Sequence, residues 1–361
     1  MRFYHIEIKM NIIGKYTIEE EIGKGKFGTV YKGTKIKDQE RIAIKIETNQ
    51  DSMKILKHET SILNYLHRNK CEYIPTVYWF GIYETFPTLV MTYYKNSLDD
   101  YVKYKTITPK KLDHIMSMIL GILEQIHKHY VIHRDIKPQN IMMKDGELYI
   151  IDFGFATFYL DENNEHMLPN EMPKEFLLGT PKYMSYYIHE GMNPSRRDDL
   201  ISLGYLYINI AISFTESGLN DLPWSVPCAV PCAVPCSNIQ TPATMQGMST
   251  EFSRSPTTLR SNVSGSLHDS SELLRQSSPE LPRSPAPSAT ARSKLLDKIP
   301  INHISHPKNR ERGRLKSWEN IAILCKKDPN LGKIGKFLER CYNLKYDETI
   351  DYGEWTQYFH G

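Results

Sequence analysis

Two short strings in the 361-residue chain hold side chains that can do chemistry together: VIHRDIKPQN at residues 131–140 and IIDFG at residues 150–154. Asp135, Lys137 and Asn140 fall in the first string and Asp152 in the second. A carboxylate and an amide oxygen are donors that a hard divalent cation such as Mg2+ prefers, which assigns Asn140 and Asp152 as a metal pair. A second carboxylate, Asp135, can orient an acceptor hydroxyl and take its proton. The Lys137 ammonium can neutralise a phosphoryl group in transfer. Phosphoryl transfer asks for little else, because its transition state is loose and positioning with charge neutralisation does most of the work. Buried loop polar groups without chemistry are the alternative, but they give no reason for HRDxKxxN and DFG to stand at this separation.

A phosphate-binding feature lies near the N-terminus. Residues 16–22 and 29–33 read as strands around Gly23, Lys24, Gly25, Lys26, Phe27 and Gly28. Glycines let a tight turn bring backbone N–H groups against phosphate oxygens. In a dinucleotide site a helix follows the last glycine. Here Thr29, Val30 and Tyr31 are β-branched or aromatic and continue as strand. That context favours a phosphate flap and leaves an ordinary glycine-rich hairpin open. In the next strand, Arg41–Glu47, Ala43 and Lys45 share one face, and Ile42, Ile44 and Ile46 the other. A lysine there is costly to bury without an anion. The following helix offers one: Leu56, Glu59, Leu63 and Leu66 recur at helical spacing and put Glu59 in an apolar seam. Glu59 either pairs with Lys45, which would then hold nucleotide phosphates, or reaches solvent from the seam's edge.

The elements that must hold these groups follow from periodicity. Residues 115–129 read as helix and residues 141–143 as a short strand, with a turn leading into residues 148–154. The carboxylates then fall at strand ends, where a rigid scaffold can aim them. Helical spacing returns from Trp318 to Tyr342. The longest apolar run, residues 203–214, is too short to span a bilayer. The opening MRFYHIEIKM lacks the apolar stretch of a secretory leader. Lys+Arg 45 against Asp+Glu 42 is too even to make nucleic acid or an anionic membrane the default partner. Six cysteines, three of them in VPCAVPCAVPC, do not make a disulfide framework. A soluble, reduced, intracellular protein is expected, with cytoplasm and nucleus both open; the basic run at 308–314 is either a nuclear import signal or a solvated charge run.

Residues 225–314 differ from everything around them. They hold 11 of the 21 prolines, one aromatic residue (Phe252), and 11 Lys/Arg against 6 Asp/Glu. Without large apolar side chains such a segment cannot offset its ordering entropy, and disorder is expected. Proline every fourth residue in VPCAVPCAVPC favours an extended path. Its cysteines are a zinc site or, on the blander reading, a low-complexity repeat. Ser-Pro pairs at Ser255, Ser278 and Ser284 are phosphorylation candidates or ordinary Ser-Pro. Since periodic sequence resumes at 315, the segment reads as an insertion inside a domain. Closing a loop of about 100 residues rather than about 10 costs about 2 kcal/mol more, which a fold of ordinary stability tolerates.

These motifs resemble those of eukaryotic protein kinases. LGTPKYMS at 178–185 and SRRDDLISLGY at 195–205 are similar, more narrowly, to the casein kinase I family. The family-wide APE string is absent, with Ser185, Tyr186 and Tyr187 near its place. The resemblance covers 14–224 and 316–359. It implies an α+β, bilobal protein kinase fold: an N-lobe of antiparallel β-sheet plus one helix, and a mainly α-helical C-lobe. It divides the chain into an extension, 1–13, and a kinase domain, 14–359, interrupted by 225–314. Within the domain, the N-lobe is 14–91, the hinge 92–97 and the C-lobe 98–224 with 315–359.

The activity implied is that of a protein serine/threonine kinase using ATP and Mg2+. Met91 would back the adenine pocket, Thr92 to Tyr94 would form its hinge, and Ile22, Val30, Ala43 and Met142 would sandwich the ring; each can equally be plain core. Asp199 would brace the catalytic loop, or is an ordinary carboxylate at a helix N-terminus. Implied partners are protein substrates with acidic or already phosphorylated Ser/Thr sites, met by a monomer with no nucleic-acid or membrane role. The family's anion-binding arginine is Lys182 here, which keeps the charge and loses the bidentate fork. Asn220 and Asp221 replace a small loop glycine. An inactive scaffold with the same fold predicts decay at Lys45, Asp135, Asn140 or Asp152, and none is decayed. An interaction protein working through 225–314 is the other rival.

Overall fold

The structure is a computed structural model that describes residues 11–24, 28–47, 53–105, 107–161, 163, 165–169, 178–212, 221–225 and 307–361. Gly25, Lys26 and Phe27, Asn220, the VPCAVPCAVPC repeat and the three Ser-Pro pairs lie outside the described residues.

The N-terminal lobe is one antiparallel sheet with a helix. Its strands are β1 (Asn11–Ile12), β2 (Tyr16–Lys24), β3 (Gly28–Lys35), β4 (Arg41–Glu47), β5 (Val77–Tyr83) and β6 (Phe86–Thr92), in the order β1-β2-β3-β4-β6-β5. The helix is α1 (Met53–Arg68). β4 alternates as its IAIKI string dictates. Ile42 and Ile44 are buried with Tyr16, Ile18 and Val90, whereas Ala43 packs with Leu56 of α1, Leu89 and Met91. Each fully buried isoleucine contributes about 2 kcal/mol. Lys45 shares the Ala43 face, opposite Val30 and Leu89 in register, so the sheet delivers it toward α1.

Residues 1–13 do not all stand outside the domain, as the sequence had suggested. Asn11 and Ile12 pair with β2, and Ile12 is fully buried in the Ile42–Ile44 cluster. Ile13 and Gly14, at φ +47° and +69°, turn the chain between the two strands. One apolar side chain on the inner face is enough to fix that strand, too short a signal for periodicity to reveal.

The C-terminal lobe follows through β7 (Asn96–Ser97), α2 (Leu98–Tyr104), α3 (Pro109–Lys128), β8 (Val131–Ile132), β9 (Ile141–Lys144), β10 (Glu147–Ile150), β11 (Thr157–Phe158), α4 (Tyr186–His189) and α5 (Arg196–Ala211). It continues with α6 (Pro307–Leu315), α7 (Trp318–Lys327), α8 (Gly332–Asn343) and α9 (Tyr352–His360). Thr108 caps α3 through the Lys111 N–H, and Pro109 opens its first turn. The Leu112, Ile119, Leu123 and Ile126 stripe of α3 enters the main core. α5 is buried on nearly every side, as its apolar run requires, and a capping box between Ser195 and Asp198 fixes its start. β9 and β10 form a hairpin that extends to β7, and β8 pairs with β11. No helix of the described residues is long and apolar enough to cross a membrane.

A second boundary is corrected. Residues 307–314, assigned by composition to the insertion, are helical as α6, and Asn309 and Gly313 point into its packed side. α6 docks on α4, where a Cβ at Gly313 would stand 3.1 Å from the His189 Cβ. PKNRERGRL has almost no apolar residues, so nothing in its composition announces a docked helix.

Candidate active site

A cavity of about 410 Å3 lies between the glycine-rich strands and the β9–β10 hairpin. Ile22, Val30 and Ala43 line it from the sheet and Met142 from β9. Met91, Thr92, Tyr93 and Tyr94 close it where β6 runs out. Tyr94 is held by a ring contact with Tyr149, centroids 4.7 Å apart. An apolar slot with main-chain groups at one edge suits a flat heteroaromatic ring.

Three elements build the polar end. β4 brings Lys45, α1 brings Glu59, and the turn after β10 brings Asp152. Lys45 Nζ donates to Glu59 Oε2 at 2.8 Å and to Asp152 Oδ1 at 3.2 Å. Glu59 is fully buried, so it is the partner of Lys45 and not a solvated edge residue. It also accepts a backbone hydrogen bond from Phe153. Burial works against the Lys45 charge, but Asp152 and Glu59 outweigh it and the lysine pKa rises. Burial likewise opposes the Asp152 charge; Lys45, Lys137 and His133 outweigh it and hold the carboxyl below its usual range. Asp152 sits at φ +67°, a left-handed state that costs about 1–3 kcal/mol. Phe153 pins this turn, its buried ring edge-on to His133 with centroids 4.9 Å apart.

Asp199, fully buried near the start of α5, braces the loop after β8. Its carboxylate accepts the backbone N–H groups of His133 and Arg134 at 2.7 and 2.8 Å, and His127 Nε2 lies 2.9 Å away. Burial opposes its charge; these donors outweigh burial and its pKa is lowered. The loop thereby presents Asp135. Asp135 Oδ1 accepts the Thr180 N–H at 2.9 Å, and Oδ2 accepts Lys137 Nζ at 2.6 Å and Asn140 Nδ2 at 3.1 Å. Lys137 donates as well to Thr180 Oγ1 at 2.9 Å. Gly179, at φ +113°, lets this segment lie against the loop, since a Cβ there would stand 2.7 Å from Arg134 O.

Asn140 also donates from Nδ2 to the Asp135 carbonyl at 2.9 Å. With its N–H groups turned to Asp135, its amide oxygen is the atom left for a ligand. Asn140 and Asp152 line the same cavity. Among the described residues no group of three or more His, Cys, Asp or Glu gathers as a self-contained metal site. Two protein oxygens fit a hard ion that keeps water and substrate oxygens as its other ligands, as Mg2+ does.

Most residues singled out in the sequence meet here: Ile22, Gly28, Val30, Ala43, Lys45, Glu59, Met91, Tyr94, Asp135, Lys137, Asn140, Met142 and Asp152 all line the cavity. Gly23, Lys24 and Thr29 lie on the flap strands, off its wall. Gly28 answers a packing need, since a Cβ there would stand 2.2 Å from Ile46 O. Sequence reasoning missed Ile55, Pro75, Leu178 and Thr180 on the wall. For Thr180 a signal existed, its place in the LGTPKYMS string.

The protein kinase domain family matches residues 16–217, more than half of the chain. A probable casein kinase I homolog of Encephalitozoon cuniculi (strain GB-M1) is 38% identical over 215 residues, 59% of this chain and 65% of that relative. The chain thus spans just under two thirds of that relative's length.

Proposed function

Because the chain belongs to the protein kinase domain family, we propose that it is a serine/threonine kinase of casein kinase I type, passing the γ-phosphoryl group of ATP to protein hydroxyls. The observation that carries this reading is the meeting of Lys45, Glu59, Asp152, Asn140 and Asp135 at one end of a cavity whose other end is apolar. Lys45, kept charged by two carboxylates, binds nucleotide phosphates. Asp152 and Asn140 hold Mg2+, which when bound neutralises charge building on the phosphate oxygens. Asp135 orients the acceptor hydroxyl and takes its proton. Both its oxygens are already held, by Thr180 on one side and Lys137 with Asn140 on the other, so its orientation is set before substrate arrives. Lys137, two residues after Asp135, favours Ser/Thr over Tyr acceptors.

The reading extends to acidic or already phosphorylated acceptor sites and to a monomeric enzyme. Lys182, just beyond Thr180, is the cation for such substrates. Its Nζ pairs with Asp221 Oδ1 at 2.5 Å in a partly exposed position, so a substrate anion competes with Asp221. The whole proposal is tested by incubating the full chain with labelled ATP, Mg2+ and an acidic Ser/Thr peptide. Label should enter the peptide with the wild type and not with Asp152→Asn. Well-folded protein with no affinity for Mg–ATP overturns the reading.

A further inference from the structure

We infer that Lys316 is a positioning residue for the segment that receives the acceptor peptide, acting through the main-chain carbonyls of Pro181 and Met184. The inference rests on the proposed kinase activity and adds a residue from beyond the kinase motifs.

Lys316 follows α6 and is fully buried. Among the described residues no carboxylate pairs with it. Its Nζ donates to two main-chain carbonyls, Pro181 O at 2.7 Å and Met184 O at 2.6 Å, and His189 Nε2 lies 3.3 Å away. The Tyr205 and Trp224 rings lie 5.0 and 5.7 Å from the ammonium. The lysine backbone is fixed too, since Tyr342 OH donates to Lys316 O at 2.7 Å. Burial and the nearby Arg312 push the ammonium pKa well below its usual value.

A buried lysine without an anion is a poor way to gain stability, and a matched apolar side chain often does as well or better. What the lysine supplies is geometry. Residues 180–184 form one turn, in which Tyr183 and Met184 donate their N–H groups to Thr180 O at 2.9 and 3.1 Å. Lys316 grips that turn by two carbonyls, and Trp224 Nε1 holds a third, Lys182 O, at 2.7 Å. The near end of the same turn is Thr180, which meets Asp135 and Lys137. The turn is therefore clamped from outside the cavity and hooked to the proton acceptor within it. Loosening the clamp should blur where an acceptor peptide lies relative to Asp135 and leave the nucleotide end, built on β4, α1 and β10, as it was.

The experiment compares the full chain with Lys316→Met and Lys316→Gln by thermal melting, by steady-state kinetics varying peptide and ATP separately, and by amide hydrogen exchange. Both variants are expected to raise the peptide KM at least tenfold, keep the ATP KM within twofold, and speed exchange at residues 180–184 at least tenfold over the rest of the domain. Trp224→Phe, which removes one N–H donor, should shift the same quantities in the same direction by less. An unchanged peptide KM with unchanged exchange at 180–184 overturns the inference. Parallel rises in both KM values, or failure of both Lys316 variants to fold, overturn it in favour of a purely structural lysine. Should the wild type phosphorylate nothing, the proposed function fails, and the exchange measurement alone then decides the role of Lys316.

Discussion

Thr180 and Asp135 are joined directly, the Thr180 backbone N–H donating to Asp135 Oδ1 at 2.9 Å. The threonine hydroxyl is a separate handle, because it accepts from Lys137. In Thr180→Val the backbone bond stays and Lys137 loses one acceptor. kcat should fall about ten- to hundredfold, the effect of one hydrogen bond to a charged group, with the ATP KM unchanged. Steady-state kinetics on matched peptide and ATP series measure this.

Gly179→Ala tests how closely the segment must approach the loop. The new Cβ meets Arg134 O at 2.7 Å in a backbone state that alanine disfavours. The contact can be relieved only by moving Thr180 away from Asp135. kcat/KM should fall about a hundredfold, while circular dichroism shows a folded protein.

Glu59→Gln removes the charge of one of the two carboxylates that Lys45 hydrogen-bonds. Affinity for Mg–ATP should drop about tenfold by calorimetric titration. Lys45→Met is harsher on the fold, since it strands a fully buried carboxylate; about 3–5 kcal/mol of stability should be lost in denaturant melts. The pH dependence has a definite sign. The depressed Asp152 pKa means that its stabilisation is fully present above the ordinary carboxylate value of 3.8 and is lost as pH falls through the lower folded-state value. Stability should therefore not fall on its account between about pH 5 and 8, and Asp152→Asn should remove only a limb at acid pH.

Asp221→Asn releases Lys182 from its ion pair. The ratio of turnover on a phosphoprimed peptide to that on its unprimed counterpart should rise about two- to fivefold, in line with a partly exposed pair worth up to about 1 kcal/mol. Lys182→Ala should bring the ratio to its minimum. Equal ratios in all three proteins would remove Lys182 from substrate recognition.

Burial pushes the Cys71 and Cys325 thiols up to about 12, and Cys341 is raised as well. All three are free and buried. Brief alkylation at pH 8 followed by peptide mass spectrometry should leave them unlabelled in native protein and label them in denaturant.

The strings at 131–140 and 150–154 were legible as neighbours around one cavity because the chemistry proposed for them restricts residue type and spacing at once. β4 was legible to the residue, since IAIKI alternates cleanly between two buried faces. Glu59 was half legible: the seam was visible, but only the fold decides that Lys45 fills the space beside it. Other features are tertiary from the outset. Ile12 is a lone apolar residue whose burial depends on β2 and β4. Lys316 lies just past the basic run at 308–314, where nothing in the sequence marks a buried residue, and the two carbonyls it grips lie more than 130 positions earlier in the chain. Gly28 read as a phosphate glycine and is required by the backbone of the neighbouring strand.

Trp224 and Lys316 touch across 5.7 Å although residues 225–315 separate them in sequence. Ser225 directly follows that ring, and α6 ends one residue before that lysine. A doorway so narrow registers departure and return but not the distance travelled between them. Drift, expansion or wholesale exchange of residues 226–306 leaves both edges of this contact in place, so that stretch of sequence can change without redrawing the fold around it.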